Sequence, residues 1–276
     1  MPMKLSVITV CYNNLVGLKA TCESVQGQTF RDFEWLVIDG GSTDGTKEYL
    51  ESLPVKPSYW CSELDHGIYN AMNKGIALAH GDYLLFLNSG DTLYGRQVVQ
   101  QVVPLLDGAD IVYGDAAFCK PKKSRLVQYP ETFTLYHLWK GYTPCHQATF
   151  IKASLLKDHG GYDERYRIVA DYRKWVEWKL AGKTYKHIAV TVCNYWLNGI
   201  STQQQTLHKQ EHDAVIRELL SPVMQEQMEY VQWLKKGSRR EQVAREGKTT
   251  VITPLYVVCW RMLHNWFLQH LSIKKE

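Results

Sequence analysis

Four short polar stretches hold the residues that could do chemistry. DGGSTDGT (39–46) opens on Asp39, ELDHG (63–67) carries Asp65, NSGD (88–91) ends on Asp91, and RIVADYRKW (167–175) sets Asp171 where a helix begins. The glycines after Asp39 let a ligand approach the backbone, so its carboxylate could accept hydrogen bonds from ribose hydroxyls or a base edge. It could equally close a turn in which Ser42 or Thr43 caps the next helix. The stretch has neither GxGxxG nor GxxxxGK[ST], which speaks against a dinucleotide site or a P-loop. Asp91 is either a turn residue or a ligand for Mg²⁺ or Mn²⁺, ions that need only one or two carboxylates when diphosphate oxygens and water complete the octahedron. Asp171 is either a helix cap, worth a few tenths to about 1 kcal/mol, or a general base.

These stretches must be held by the elements around them. LSVITVCY (5–12), FEWLVID (33–39), PSYWCS (57–62), DYLLFLN (82–88) and DIVYGD (110–115) read as strands; segments 15–25, 43–53, 68–79 and 97–106 have helical spacing. Regular strand–helix alternation predicts a mostly parallel α/β sheet covered by helices. Such sheets bind ligands beyond the carboxyl ends of their strands. The first strand runs into Tyr12-Asn13-Asn14, and the next three run into the three aspartate-bearing loops. Residues 167–183 read as a further helix whose first turn carries Asp171.

Composition is that of an ordinary globular chain of 276 residues, with 45% hydrophobic and 22% charged residues. The seven cysteines are scattered without a CxxC pair, so a zinc or disulfide framework is not expected. The start lacks the features of a signal peptide, which points to the cytosol. From Trp233 onward nine Lys or Arg face three Glu, a net +6, which leaves residues 1–232 at −2. A body of that charge shows no basic stripe, and nucleic acid is not an expected partner.

Taken in order, SVITVCYNN, QTFRDFEWLVIDGGSTDGT, SELDHGIYNAMNKGIALAHGDYLLFLNSGD, CHQATFIKASLLKDHGGYDERYRIVADYRKW and NGIST resemble the family 2 glycosyltransferases of GT-A fold, most closely the bacterial polysaccharide transferases of the colanic-acid type. The resemblance covers most of residues 5–202. It implies a catalytic domain over 1–204, with a nucleotide-binding half to about residue 115 and an acceptor-binding half after it. It further implies that Thr9, Val10 and Tyr12 border the base, Asp39 contacts the nucleoside, and Asp65 with Lys74 seats base and diphosphate. The 88–91 turn stands where the family carries an Asp-x-Asp metal motif, so Asn88 and Ser89 would adjoin the donor and Asp91 would hold Mn²⁺ or Mg²⁺. The turn departs from that pattern, since Asn88 and Gly90 occupy positions that are often acidic. Asp171 would be the base of an inverting transfer from a nucleotide-sugar, UDP-linked in preference to GDP or dTDP. His146 would lie along the passage of the sugar, or else be a buried, hydrogen-bonded core histidine. A sugar-nucleotide-binding module without catalysis is the alternative that the thinned acidic turn raises.

After NGIST the chain reads as a helical extension, 205–276: a long helix to about Trp233, a basic stretch, and an apolar-faced helix over 253–271 with Pro254 in its first turn. Arg261, His264 and Asn265 interrupt the latter, so it is too polar for a span and suits an anionic membrane surface. Packing on the protein's own core or in a homodimer is the other arrangement that would cover it. With the family resemblance, the expected acceptor is a saccharide linked to polyprenyl diphosphate, met at the cytoplasmic face of the inner membrane.

Overall fold

Aliphatic and β-branched runs build the first strands of the protein, whose computed structural model describes residues 3–246. Strand β1 (Leu5–Cys11) is buried along its whole length, as are β2 (Glu34–Asp39) and β4 (Tyr83–Phe86), while β3 (Tyr59–Ser62) lies at the edge and is partly exposed. Strands covered on both faces need this continuous apolar pattern. Helices α1 (Leu15–Gln26), α2 (Thr46–Ser52) and α3 (Ile68–Leu78) make the crossovers. The order β3-β2-β1-β4 is parallel throughout, in a register that sets Cys11 beside Asp39 and Asp39 beside Ser62. Three strand ends therefore close at one level, and the polar loops leave from the same edge.

Past β4 the sheet becomes mixed. The chain continues through β5 (Thr92–Leu93), α4 (Val98–Val102), β6 (Ile111–Lys120), β7 (Lys123–Val127), α5 (Leu135–Trp139), β8 (Thr149–Lys152), α6 (Ala153–Lys157), α7 (Ala170–Leu180), β9 (Tyr185–Trp196), α8 (Ile200–Gln203) and α9 (Gln205–Leu219). The full order is β3-β2-β1-β4-β8-β6-β9-β5, with β7 paired to β6. Since β8 is antiparallel to both β4 and β6, and β9 is parallel to β6, strands β6 and β9 run with the first four. Their carboxyl ends reach the edge where the aspartate loops lie.

Helix α9 belongs to the same compact unit, which extends to Ser221, beyond the boundary at 204 expected from the sequence. Glu211 of α9 accepts hydrogen bonds from the backbone N–H groups of Arg167, Ile168 and Val169, and Glu218 pairs with Arg173 of α7. A second unit begins at Pro222 with helix α10 (Pro222–Glu246), which continues past Trp233, where the sequence suggests an end. The expected apolar-faced helix over 253–271 lies outside the described residues. Among those described, no helix is long and apolar enough to cross a membrane.

Helix α3 carries residues of both halves of the site and lies directly on the sheet. Tyr69, Met72 and Ile76 are buried on it, and Gly75 sits so close to β1 that a Cβ there would stand 2.5 Å from Ile8 Cγ2. Gly75→Ala is expected to destabilise the protein by about 1–3 kcal/mol, the cost of forcing a methyl into a packed core, measured as a lower midpoint of urea unfolding with an unchanged slope.

Candidate functional site

The carboxyl ends of β1, β2 and β3 assemble the first part of the site. Asp39 is fully buried, and its oxygens accept from the Ser42 N–H at 3.0 Å, the Ser62 hydroxyl at 2.7 Å and the Ser42 hydroxyl. Gly40 follows with the Asp65 carboxylate close against it: a Cβ there would lie 2.3 Å from Asp65 Oδ2, and the carboxylate would have to move. Asp65 in turn accepts from the Gly67 N–H at 2.8 Å. Lys74 of α3 donates to Glu63 at 2.9 Å and to the Leu64 carbonyl at 3.2 Å, and the Glu63 carboxylate raises its pKa. The structure thus brings Asp39, Asp65 and Lys74 to one end of the sheet. Tyr12 (64% exposed) and Leu64 (84% exposed) stand on loops at that end, apolar surfaces of the kind a planar base packs against. Leu64 is missed by sequence reasoning, although an aliphatic residue inside a polar loop was a readable signal.

Thr9 and Val10 do not border this space with their side chains. Both are buried in β1, and the Thr9 hydroxyl accepts from the Trp35 indole N–H at 3.2 Å. The two-residue alternation of a doubly covered strand sends both side chains into packed layers, so Tyr12, beyond the strand end, is the first to emerge.

The 88–91 turn is tied down by α1. Asn14 caps that helix through the Gly17 N–H and donates to the Ser89 carbonyl at 3.0 Å and its hydroxyl at 3.3 Å. The Thr21 hydroxyl donates to the Asp91 carbonyl at 2.7 Å and accepts from the Gly90 N–H at 3.0 Å. Asn14 and Thr21, also missed, act by holding backbone, a role that residue type alone does not announce.

Asp91 itself turns inward. It is buried, its Oδ1 accepts from the Trp196 N–H at the end of β9 at 2.9 Å, and the Gln147 side chain hydrogen-bonds to it. Burial pushes this carboxyl up to about 7, against the pull of both partners. Among the described residues no group of three or more His, Cys, Asp or Glu could hold a metal ion. Asp91 gives Oδ1 to the Trp196 amide, so a divalent ion beside this turn would have to meet the other oxygen of the same carboxylate together with diphosphate and water. What the turn leaves unpaired is Asn88 Oδ1, a buried acceptor without a hydrogen-bond partner.

Asp171 lies in the first turn of α7 and does not cap it: the N-cap residue is Val169, with no side-chain cap bond. Its Oδ1 accepts from the Tyr69 hydroxyl at 2.7 Å, and it is neither fully buried nor fully exposed. His146 sits behind it rather than along an open passage. That ring is buried, stacks on Phe86 at 4.9 Å and pairs through Nε2 with the Tyr162 hydroxyl at 2.9 Å; burial lowers its pKa and the nearby Asp171 only partly opposes this. The imidazole is therefore a neutral part of the packing beneath Asp171.

Because the Asp91 carboxyl keeps its proton to about pH 7 when folded, whereas an unstrained aspartic acid ionises near 3.8, its contribution to stability is complete below the lower value and drains away as pH rises through the higher. At about 1.4 kcal/mol per unit, roughly 4 kcal/mol is lost across that window. Asp91→Asn, which keeps an acceptor for the Trp196 N–H, is expected to flatten this fall, read as urea midpoints from pH 4 to 8 for both proteins.

Residues 6–158 match the family described as glycosyl transferase family 2. An uncharacterised glycosyltransferase of Mycobacterium tuberculosis is 42% identical over 171 residues, which span 60% of this chain and 65% of that one. A protein of Mycobacterium bovis named PGL/p-HBAD biosynthesis glycosyltransferase is 34% identical over 178 residues, 60% of this chain and 66% of that one. Among solved structures, Staphylococcus aureus TarS 1–349 in complex with UDP-GlcNAc superposes with a TM-score of 0.64 at 18% identity, covering 82% of this chain and 70% of that one. The mannosyltransferase PcManGT of Pyrobaculum calidifontis, in complex with GDP-Man and Mn²⁺, gives 0.60 at 16% identity, covering 95% and 79%. At these identities the two structures establish the GT-A fold.

Proposed function

We propose, for a chain that belongs to glycosyl transferase family 2, an inverting transfer of a sugar from a nucleotide-diphosphosugar to an acceptor hydroxyl, with Asp171 as general base. The observation that carries this reading is how the aspartates are spent. Asp39 has both oxygens engaged by neighbouring donors and Asp91 is buried with Oδ1 given to the Trp196 N–H, whereas Asp171 is only partly buried, gives Oδ1 to Tyr69 and keeps Oδ2 without a partner among the described residues. Glu211 serves the backbone leading into α7, which leaves Asp171 free of a capping duty.

In this mechanism Oδ2 takes the proton of the acceptor hydroxyl as its oxygen bonds to the anomeric carbon, from the face opposite the diphosphate. The bond from that carbon to the diphosphate breaks, and its electron pair leaves with the diphosphate. A positioned base typically contributes about 10²- to 10⁴-fold. Tyr12 and Leu64 would pack against the base, Asp39 and Asp65 would meet the nucleoside, and Lys74 would bring positive charge toward the diphosphate. Asn88 Oδ1 would take a hydrogen bond from the donor, and Ser89 would adjoin it. UDP is preferred as the nucleotide, in keeping with the TarS complexes that share the fold. The relatives named for PGL/p-HBAD biosynthesis support a lipid-borne acceptor, which we take to be a saccharide on polyprenyl diphosphate reached at an anionic membrane surface. Divalent ions are typical of GT-A enzymes, and the PcManGT complex includes Mn²⁺; no step of this mechanism is routed through one.

Calorimetric titration with UDP and release of UDP from UDP-GlcNAc test the reading together. Asp171→Asn is expected to bind UDP within about 3-fold of the unmutated protein and to lose about 10²- to 10⁴-fold in turnover. Turnover near the unmutated rate would remove Asp171 from the role. Binding of UDP with no turnover of UDP-, GDP- or dTDP-sugars by the unmutated chain would favour a sugar-nucleotide-binding module.

A further inference from the structure

Tyr69 has one proton and two acceptors. Its hydroxyl oxygen lies 2.7 Å from Asp171 Oδ1 and 2.7 Å from the carbonyl oxygen of Ile168. A phenol donates one hydrogen bond at a time, so only one of these contacts can be a donation at any moment. An ionised carboxylate is the stronger acceptor, so while Asp171 is charged the proton points to Oδ1 and the Ile168 carbonyl stands in reserve. The Asp171 N–H is 3.5 Å away, too distant to hold the phenol by itself.

The surroundings make this a defined choice. Tyr69 is buried on α3, and burial, with Asp171 beside it, raises the phenol well above its ordinary range, so it stays protonated while its partner changes charge. The other titratable groups packed here are Tyr162, whose ring lies 5.4 Å from that of Tyr69, and His146, which is bonded to Tyr162 and held toward neutrality by burial. Neither competes for the Tyr69 hydroxyl among the described contacts.

We propose that Tyr69 is the positioning residue of the base: its phenol pins Oδ1 of Asp171, leaves Oδ2 to receive the acceptor's proton, and turns to the Ile168 carbonyl once the carboxyl is neutral. The inference rests on Asp171 being the base. The acceptor's proton ends on Oδ2, the acceptor oxygen gains the bond to the anomeric carbon, the electron pair of the broken bond leaves with the diphosphate, and the phenol remains neutral throughout. A purely structural Tyr69 would instead tie α3 to the 161–168 segment through Ile168, indifferent to the charge on Asp171.

The two roles separate spectroscopically. In full-length protein labelled with ¹³C at tyrosine Cζ, the Tyr69 signal, assigned by Tyr69→Phe, should move between the unmutated protein and Asp171→Asn at one fixed pH, because the uncharged amide no longer draws the phenol's proton away from the Ile168 carbonyl. Tyr69→Phe should lower UDP release from UDP-GlcNAc roughly 10- to 100-fold with little change in KM for the donor, and should add nothing in an Asp171→Asn background. A Tyr69 signal that Asp171→Asn leaves in place overturns the inference. So does a Tyr69→Phe protein with unaltered turnover when Asp171→Asn is inactive, and in that case Asp171 keeps its role. If Asp171→Asn itself turns over normally, the base assignment fails and the role of Tyr69 fails with it.

Discussion

Parallel strands cannot be joined by tight turns, and this constraint shapes the molecule. Each return from β1, β2 and β3 is a helix on a face of the sheet, so every strand ends, and every functional loop begins, at one edge. That edge exposes backbone groups that the ladders no longer pair, and polar side chains of the loops take them up. Asp39 holds the Ser42 turn, Asn14 holds Ser89, and Thr21 holds Gly90 and Asp91. The backbone needs of these loops are met by short polar side chains of the loops and of α1.

The same logic separates the carboxylates. A buried acid surrounded by donors is part of the frame, as with Asp91 bridging the turn after β4 to the Trp196 amide at the end of β9. This bond links segments 105 residues apart and fixes the 88–91 turn against the second half of the sheet. Asp171 stands apart because another residue does the work its position invites. Glu211, delivered by α9, satisfies three N–H groups just ahead of α7, and the ion pair of Glu218 with Arg173 keeps α9 in place. A helix that sequence alone puts outside the catalytic domain thus sets the state in which the candidate base is found.

What could be read from the sequence follows from the range of each interaction. Strands β1, β2 and β4 and the loops after them were legible because continuous burial leaves a local apolar run and the turns leave glycine, serine and aspartate behind. Strands β7, β8 and β9 were not read: β7 carries exposed charged residues, β8 (TFIK) has only two hydrophobic residues, and β9 is mostly half-buried, so none leaves that run. Side-chain direction was the least legible quantity. Nothing near Asp91 in sequence reveals the Trp196 amide it serves, nothing near His146 reveals the Phe86 ring it stacks on, and Tyr69 looks like one more apolar position of α3 until Ile168 and Asp171 are seen beside it.

The opposite edge of the sheet shows why position decides more than residue type. At the amino ends of β1 and β2 a serine, a glutamate and a histidine come together: the Ser6 hydroxyl donates to Glu34 Oε2 and accepts from the Gly81 N–H at 2.8 Å, and His80 Nδ1 lies 2.7 Å from Glu34 Oε1. By composition this could pass for a nucleophile with its base and orienting acid. Its connectivity forbids that, since the histidine meets the glutamate and never the serine, and the serine is fully buried with its proton already given to the carboxylate. The cluster binds the entry to β4 against β1 and β2. The strands that close with serine and glutamate at one end open toward a ligand at the other, and the direction of the backbone determines which polar group braces the fold and which is left with an oxygen to use.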